Sequence, residues 1–352
     1  MSGKPKLAMV AAGSARGELG GAERFFTGLT QALCNAGFDA ELVAVPSDES
    51  SFEAIQRSYL RFYDLDLSRF DGVISSKAPS YALRHPNHVC YLQHTMRVFY
   101  DMFDLEFPTP SEELRAQRHV IQLLDTALLR TPRTRKLLAI GQEVSDRLKL
   151  YNGLEAQEIV HHPTTLGGLH EGKADYFFLP GRLHRWKRVG LAIAAMRQSE
   201  IPARLLISGD GEDAARFHAE AEGDPRIVFL GRVSDQQLAD LYANARAALF
   251  VPMREDMGLI TFEAFHSGTP VITVHDSGEP ANIVRDGQTG LVCAPEPSAL
   301  ARAMETLWAD PARAAAMGAA GRDSIAHISW QNVAHRLGTA LGYADFLAAR
   351  TK

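Results

Sequence analysis

Apolar positions along this chain fall into short unbroken runs that alternate with stretches in which they recur every three or four residues. Residues 7–12 predict a first buried strand. The glycine-bearing stretch after it, GSARGELGGAERF, turns into a helix carrying Phe25, Phe26, Leu29 and Leu33. AELVAV at 40–45, FDGVISS from Phe70 and HVCYLQH ending at His94 predict further strands, and the aromatic RVFYDMFD predicts a loop or short helix near the carboxyl end of the last one. Residues 112–130 predict a helix whose apolar face holds Leu114, Val120, Leu123, Leu124 and Leu128. KLLAIGQEVSDRL repeats the strand, turn and helix order, and EIVHHP at 158–163 predicts one more short strand.

The pattern restarts at Tyr176. YFFLP, ARLLIS, RIVFLG, AALFVP and PVITV predict strands, each followed by a helical stretch: GLAIAAM, DAARFHAEA, QQLADLYANA, ITFEAFHSG and EPANIVRDG. Apolar strands alternating with helices of this length predict α/β architecture, with parallel sheets covered on both faces. A chain of 352 residues exceeds what one hydrophobic core usually supports, so two Rossmann-like domains are expected. The polar TTLGGLHEGKAD is the natural connection. This sets an N-terminal domain at 1–167, a second domain at 168–328, and a helical tail at 329–352 expected to pack back toward the N-terminal domain. Loops at the carboxyl ends of the strands are expected to line a cleft between the two domains.

Composition narrows the function. Formal net charge is only −5, from 37 Lys and Arg against 42 Asp and Glu, so no overall attraction to nucleic acid is expected. Cys34, Cys90 and Cys293 are widely separated and make neither a zinc spacing nor a disulfide scaffold. The start MSGKPKLAMVAAG has basic residues and an apolar run, but the run is short and flows into the glycine-rich loop, which predicts a strand rather than an export signal. No charge-free apolar stretch reaches 18 residues, so a cytoplasmic location is expected, with peripheral contact at the inner membrane face left open.

Four places carry candidate chemistry. The loop ending in Gly20 and Gly21 precedes a helix, whose amino end offers N–H groups to phosphate. GRLHRWKR sets Arg182 and Lys187 five positions apart directly after a strand, one a planar fork and the other a compact charge, both suited to a diphosphate. Arg185 and Arg188 share that cluster without a spacing that points them inward. In PMREDMGLITFEAFHSGTPVI, Glu255 follows a strand, where its carboxylate is suited to sugar hydroxyls. Met257, Gly258 and Leu259 enter the next helix with N–H groups to offer, and Glu263 lies about one turn further on. His94 ends a strand where an imidazole can bind an acceptor, donate to phosphate or move a proton. Arg97, Tyr100 and Asp101 stand nearby as candidates to orient a polyhydroxy acceptor, of which Arg97 and Tyr100 are taken as acceptor-binding. Asp210, in SGDGED, is read as a loop-shaping residue. No residues fall at metal-ligand spacing, and neither a nucleophile elbow nor a Walker-type loop is present.

The second half resembles the retaining glycosyltransferases of family four, which share the two-Rossmann-domain GT-B arrangement. GRLHRWKR, LLISGDGED, IVFLGRVSDQQLADLYANA, REDMGLITFEAFHSGTPVI and DGQTGLV carry the likeness in order and mutual distance. In the first half, GELGGAERF is similar to the family's phosphate-facing loop, AIGQEVSDRL to its interdomain-facing strand and helix, and KAPSYALRHPNHVCYLQHTMRVFYD to bacterial surface-polysaccharide transferases.

The resemblance implies transfer of a hexosyl group, with retention at the anomeric carbon, from a nucleotide-diphosphate sugar to a hydroxyl. Arg182 and Lys187 would neutralise the diphosphate, Glu255 bind the sugar and Glu263 the ribose. Gly20 and Gly21 would approach the distal phosphate, Arg232, Val233, Met257, Gly258 and Leu259 complete the donor site, and His94 sit beside acceptor and donor sugar. The family commonly has glycine after the first glutamate of its EX7E pattern, where this chain has Asp256, which bears on donor choice. No cofactor or metal is expected beyond the donor. GDP-mannose is the favoured donor, with UDP-sugars open; the acceptor is a saccharide, a lipid-linked saccharide or a small metabolite. A catalytically silent nucleotide-sugar-binding subunit is the alternative, and retention of Arg182, Lys187, Glu255 and Glu263 weighs against it.

Overall fold

The computed structural model describes residues 3–14, 21–172 and 175–350. It falls into two compact units, residues 1–165 with 328–352 and residues 166–327. In chain order the first unit contains β1 (Lys6–Ser14), α1 (Gly21–Asn35), β2 (Asp39–Ser47), α2 (Phe52–Tyr63), β3 (Gly72–Ser75) and β4 (His88–Leu92). It continues with α3 (Phe103–Glu106), α4 (Glu112–Leu129), β5 (Lys136–Ala139), α5 (Gln142–Asn152) and β6 (Glu158–Ile159).

The second unit runs β7 (Tyr176–Pro180), α6 (Val189–Gln198), β8 (Arg204–Ser208), α7 (Ala214–Ala221), β9 (Ile227–Gly231), α8 (Asp235–Ala243), β10 (Ala245–Leu249), α9 (Leu259–His266), β11 (Val271–Val274), α10 (Glu279–Ile283), β12 (Gly290–Cys293), α11 (Pro297–Ala309) and α12 (Pro311–Ile325). Then α13 (Trp330–Ala340) and α14 (Ala344–Ala348) return to the first unit.

Both sheets are parallel and six-stranded, ordered β2-β1-β3-β4-β5-β6 and β12-β11-β10-β7-β8-β9. The central strands are buried along their whole length, as in HVCYL, YFFLP and ARAAL, because helices cover both faces and leave no side for polar alternation. In the second sheet the chain winds outward one way through β7, β8 and β9, then reverses from β10. The reversal opens the sheet between the carboxyl ends of β7 and β10, the position at which open α/β sheets bind ligands.

Two elements differ from the sequence reading. The buried stripe of α4 is Ile121, Asp125, Leu128 and Leu129, whereas Val120 and Leu123 are exposed. The stripe is interrupted by an acid, so counting apolar positions rotates the face. Asp125 is accommodated because Tyr59 donates to its Oδ1 at 2.5 Å and Tyr100 to its Oδ2 at 2.6 Å. The stretch 158–163 pairs over only two residues, after which His162 enters an aromatic cluster.

That cluster ties the tail to the first unit. Trp330 stacks on His162 with centroids 5.5 Å apart and lies 5.8 Å from Phe25. A Cβ on Gly28 would come within 2.9 Å of the Trp330 ring, so α1 presents a glycine where the indole lies. Ser329 caps α13 by accepting from the Asn332 N–H. Burial pushes the His162 imidazole down to about 4, so it is neutral in the cluster.

Trp330→Ala is expected to cost about 3 kcal/mol and to accelerate hydrogen exchange in α1 without changing exchange over 166–327. Unaltered protection in α1 would refute the anchoring role. Burial pushes the Asp125 carboxyl up to about 6, against hydrogen bonds from Tyr100, Tyr59 and Tyr81 that pull it down. Its folded value therefore lies above its unfolded one, and this stabilising contribution is full below about pH 4 and fades as pH rises through 6. Urea midpoints of the wild type relative to Asp125→Asn should accordingly fall between pH 4 and 6 and level off above 7; a pH-independent gap would assign the titration elsewhere.

Candidate functional site

The site in the second unit is built from three turns at the carboxyl ends of β7, β8 and β10. Leu183 N–H donates to Asp210 O at 3.0 Å and Asp213 N–H to Leu183 O at 3.0 Å, which zips the turn after β8 onto the turn after β7. Gly209 has φ +119, and a Cβ there would come within 1.9 Å of Gly181 O; a Cβ on Gly211 would come within 2.4 Å of Leu183 O. Glycine is thus required for the backbones to touch. An open hollow results, lined by Gly181, Arg182, Gly209, Asp210, Gly211, Glu212 and Arg232. A Cβ on Gly181 would stand 3.4 Å from Ile260 in the first turn of α9, so the hollow is continuous with that helix start.

The turn after β10 is held by backbone bonds along its length. Met253 N–H donates to Trp186 O at 2.7 Å, Arg254 N–H to Asp276 O at 3.0 Å, Glu255 N–H to Ser277 O at 2.7 Å, and Glu279 N–H to Glu255 O at 2.9 Å. Arg188 adds a side-chain staple, donating to Val251 O at 2.8 Å and forking onto Asp276 at 2.7 and 2.9 Å. This explains why Arg188 does not point into the site. Gly258 ends the turn with φ +74, and a Cβ there would meet Pro280 at 2.6 Å.

On this scaffold Lys187 Nζ donates to Glu255 Oε2 at 2.7 Å, both side chains about one quarter exposed, with the ammonium 5.4 Å from the Phe250 ring centroid. Arg182 forks onto Glu212, Nε donating to Oε2 at 3.1 Å. Glu263, in α9, accepts at Oε2 from the Tyr242 hydroxyl at 2.7 Å. Tyr242 is buried, and burial followed by the Glu263 charge raises its pKa well above the usual value, so it remains a donor. Asp210 shapes its turn by accepting from Gly211 N–H at 2.8 Å, and it stands 3.7 Å from Arg232.

The structure therefore brings Arg182, Lys187, Glu255, Gly258, Leu259 and Glu263 to the ends of β7 and β10 or into the helix that follows. Met257 is buried at the end of the same turn. Arg232 lies on the rim of the hollow, while Val233 stands further round, beside Leu230 and Gln237. Sequence reasoning did not single out Tyr242 or Glu212. Tyr242 is one apolar position among several in α8, and only the tertiary fold brings its hydroxyl to Glu263.

In the first unit His94 follows β4, half-buried, and its Nδ1–H donates to Thr95 O at 3.0 Å. A carbonyl can only accept, so the neutral ring carries its proton on Nδ1. Arg97 forks onto Asp101 at 2.7 Å, and Arg147 reaches the same carboxylate at 2.8 Å. Tyr100 is corrected as an acceptor contact: it is 1% exposed and its hydroxyl donates to Asp125. Asp101 is likewise consumed by two arginines. Gly21 opens α1, and Gly20 lies outside the described residues. Among the described residues no three His, Cys, Asp or Glu side chains gather as metal ligands, and no helix is long and apolar enough to cross a membrane.

Residues 168–324 match the family model of glycosyl transferases group 1. The glycogen synthase of Mycobacterium tuberculosis is 31% identical over 205 residues, 55% of this chain and 48% of that protein. The GDP-mannose-dependent α-(1-6)-phosphatidylinositol dimannoside mannosyltransferase of the same organism is 34% identical over 152 residues, 43% of this chain and 39% of that protein. The matches thus span less than half the length of these relatives. Among solved structures, sucrose-phosphate synthase from Thermosynechococcus elongatus aligns over 98% of this chain and 100% of its own, with a TM-score of 0.75 at 20% identity. The fold is GT-B, with two Rossmann-like domains.

Gly278 has φ +76, and a Cβ there would come within 2.6 Å of the Glu255 N and O atoms. Gly278→Ala is expected to lower stability by at least about 1 kcal/mol and to release amide protection at Glu255 and Glu279. Retained protection at both would mean the pairing of the turn after β10 does not depend on that glycine.

Proposed function

We propose that this chain, whose residues 168–324 form a glycosyl transferases group 1 domain, is a retaining hexosyltransferase that uses a nucleotide-diphosphate sugar and delivers the sugar to a hydroxyl of a saccharide, lipid-linked saccharide or small metabolite. The observation that carries this reading is the set of charges at the reversal of the second sheet: Lys187 on Glu255 beside the hollow that Arg182 borders, with Glu263 fixed by Tyr242 in the adjoining helix.

The chemistry follows from what each group can do. As the bond between the anomeric carbon and the phosphate oxygen breaks, negative charge builds on the diphosphate and positive character on the sugar. Lys187 and Arg182 stabilise the first, and the N–H groups opening α9 add the positive end of a helix. Glu255 accepts hydrogen bonds from sugar hydroxyls once Lys187 turns to phosphate, and Glu263 accepts from the ribose. The acceptor hydroxyl attacks the face from which the diphosphate leaves. Its oxygen forms the new glycosidic bond, and its proton passes to the departing phosphate. With two cations taking the leaving-group charge, the transfer is proposed to need no metal.

On the acceptor side the proposal assigns His94, beside the acceptor and the donor sugar, and Arg97 next to it. GDP-mannose is the favoured donor, supported by the GDP-mannose-dependent enzyme among the relatives. A cytoplasmic location, with peripheral contact at the inner membrane face, is proposed with it.

The experiment is a thermal-shift panel of UDP, GDP, ADP and CMP, each with and without magnesium. A selective rise with GDP, independent of magnesium, is expected; no rise with any nucleotide would remove the donor-site reading. Lys187→Ala is expected to lower turnover about 100-fold while leaving the fold intact by circular dichroism, and unchanged turnover would take the leaving group away from Lys187.

A further inference from the structure

We infer that Glu212 occupies the diphosphate's place on Arg182 and thereby sets the affinity of this site for nucleoside diphosphates; the inference rests on the donor-site reading above. Its basis is backbone geometry. The bonds from Leu183 N–H to Asp210 O and from Asp213 N–H to Leu183 O place residue 212 opposite residue 182 whatever rotamers the side chains adopt. Gly209 and Gly211 permit this close spacing of the two turns, because a side chain at either position would collide with Gly181 O or Leu183 O. Within that frame the Glu212 carboxylate meets the Arg182 fork through both oxygens.

A carboxylate held this way presents two oxygens to a guanidinium as a phosphate does, and it lies on the lining of the same hollow. The Glu212 carboxyl is held below the usual carboxylate range by its own backbone N–H and then by Arg182, so it is ionised wherever a diphosphate is. Other charged groups on the turns are otherwise engaged. Asp210 stands by Arg232, and Asp213 accepts from the Arg185 N–H at 2.6 Å. His184 accepts at Nδ1 from the Trp186 N–H. A ligand phosphate reaching Arg182 must therefore displace Glu212 from the fork.

The pair is a competitor more than a clamp. Arg182 is 66% and Glu212 56% exposed, so the ion pair itself adds little to stability. Removing the charge frees the fork at small structural cost.

The test is calorimetric titration of the full chain with GDP and UDP, in wild type, Glu212→Gln, Arg182→Gln and the double variant. Glu212→Gln is expected to lower the Kd two- to fivefold, and in the Arg182→Gln background the same change should have no effect. An equal or higher Kd for Glu212→Gln, with wild type still binding, would overturn the inference and leave the donor site standing. A gain that persists without Arg182 would show that Glu212 acts by general repulsion and would also overturn it. Absence of nucleotide binding by the wild type would instead remove the donor site itself.

Discussion

The second unit depends on one short stretch of backbone pairing, in which Glu255 N–H donates to Ser277 O and Glu255 O accepts from Glu279 N–H. Loops after parallel strands are usually where a fold is least determined. Here the turn after β10 is bonded like a strand, at Trp186 on one side and at residues 276–279 on the other. Two glycines in left-handed geometry, Gly258 and Gly278, let it approach α10 without a side chain between. The result is a carboxylate on a fixed backbone, and fixed dipoles and charges are what a charge-separating reaction requires, since they need no reorganisation as charge develops.

The same economy appears around the hollow. Gly181, Gly209 and Gly211 bring two turns into direct backbone contact, and that contact decides which side chains face each other. Sheet order then brings these turns to the one after β10: because β7 and β10 are neighbours, with Tyr176 paired to Ala245 across the sheet, the lysine that follows one strand meets the carboxylate that follows the other. Topology rather than sequence proximity makes Lys187 and Glu255 a pair.

Much of this was legible in the sequence, for physical reasons. Strands covered on both faces must be apolar throughout, so YFFLP and HVCYL announce themselves. Turns that require glycine display it, as in SGDGED. What stayed hidden are polar groups satisfied only by the tertiary fold. Asp125 sits at a buried position of α4 because two tyrosine hydroxyls from elsewhere in the chain donate to it, and no periodicity reports that. For the same reason Tyr100 reads as a candidate acceptor contact in sequence and is buried in the structure. β12, GLVC, is half-exposed along three of its four residues, so it lacks the apolar signature of the central strands and reads only as a motif. Glu212 lies in a recognised turn, but its partner is 30 residues away.

The charge balance of the donor site follows from these pairings. On the proposed reading, Lys187 and Arg182 each hold a carboxylate before any ligand arrives, so binding a diphosphate exchanges one anion for another rather than filling an empty cation. Exchange costs less desolvation than burying a new charge, because each cation is already partly withdrawn from water. The two pairs differ in what they release. Glu212 is over half exposed and returns to solvent, whereas Glu255, only 22% exposed and fixed through its backbone, stays in the site with its lone pairs available to sugar hydroxyls. Drawing Lys187 toward the phosphate therefore arms Glu255 for the sugar, and recognition of the two halves of the donor is joined through a single 2.7 Å ion pair.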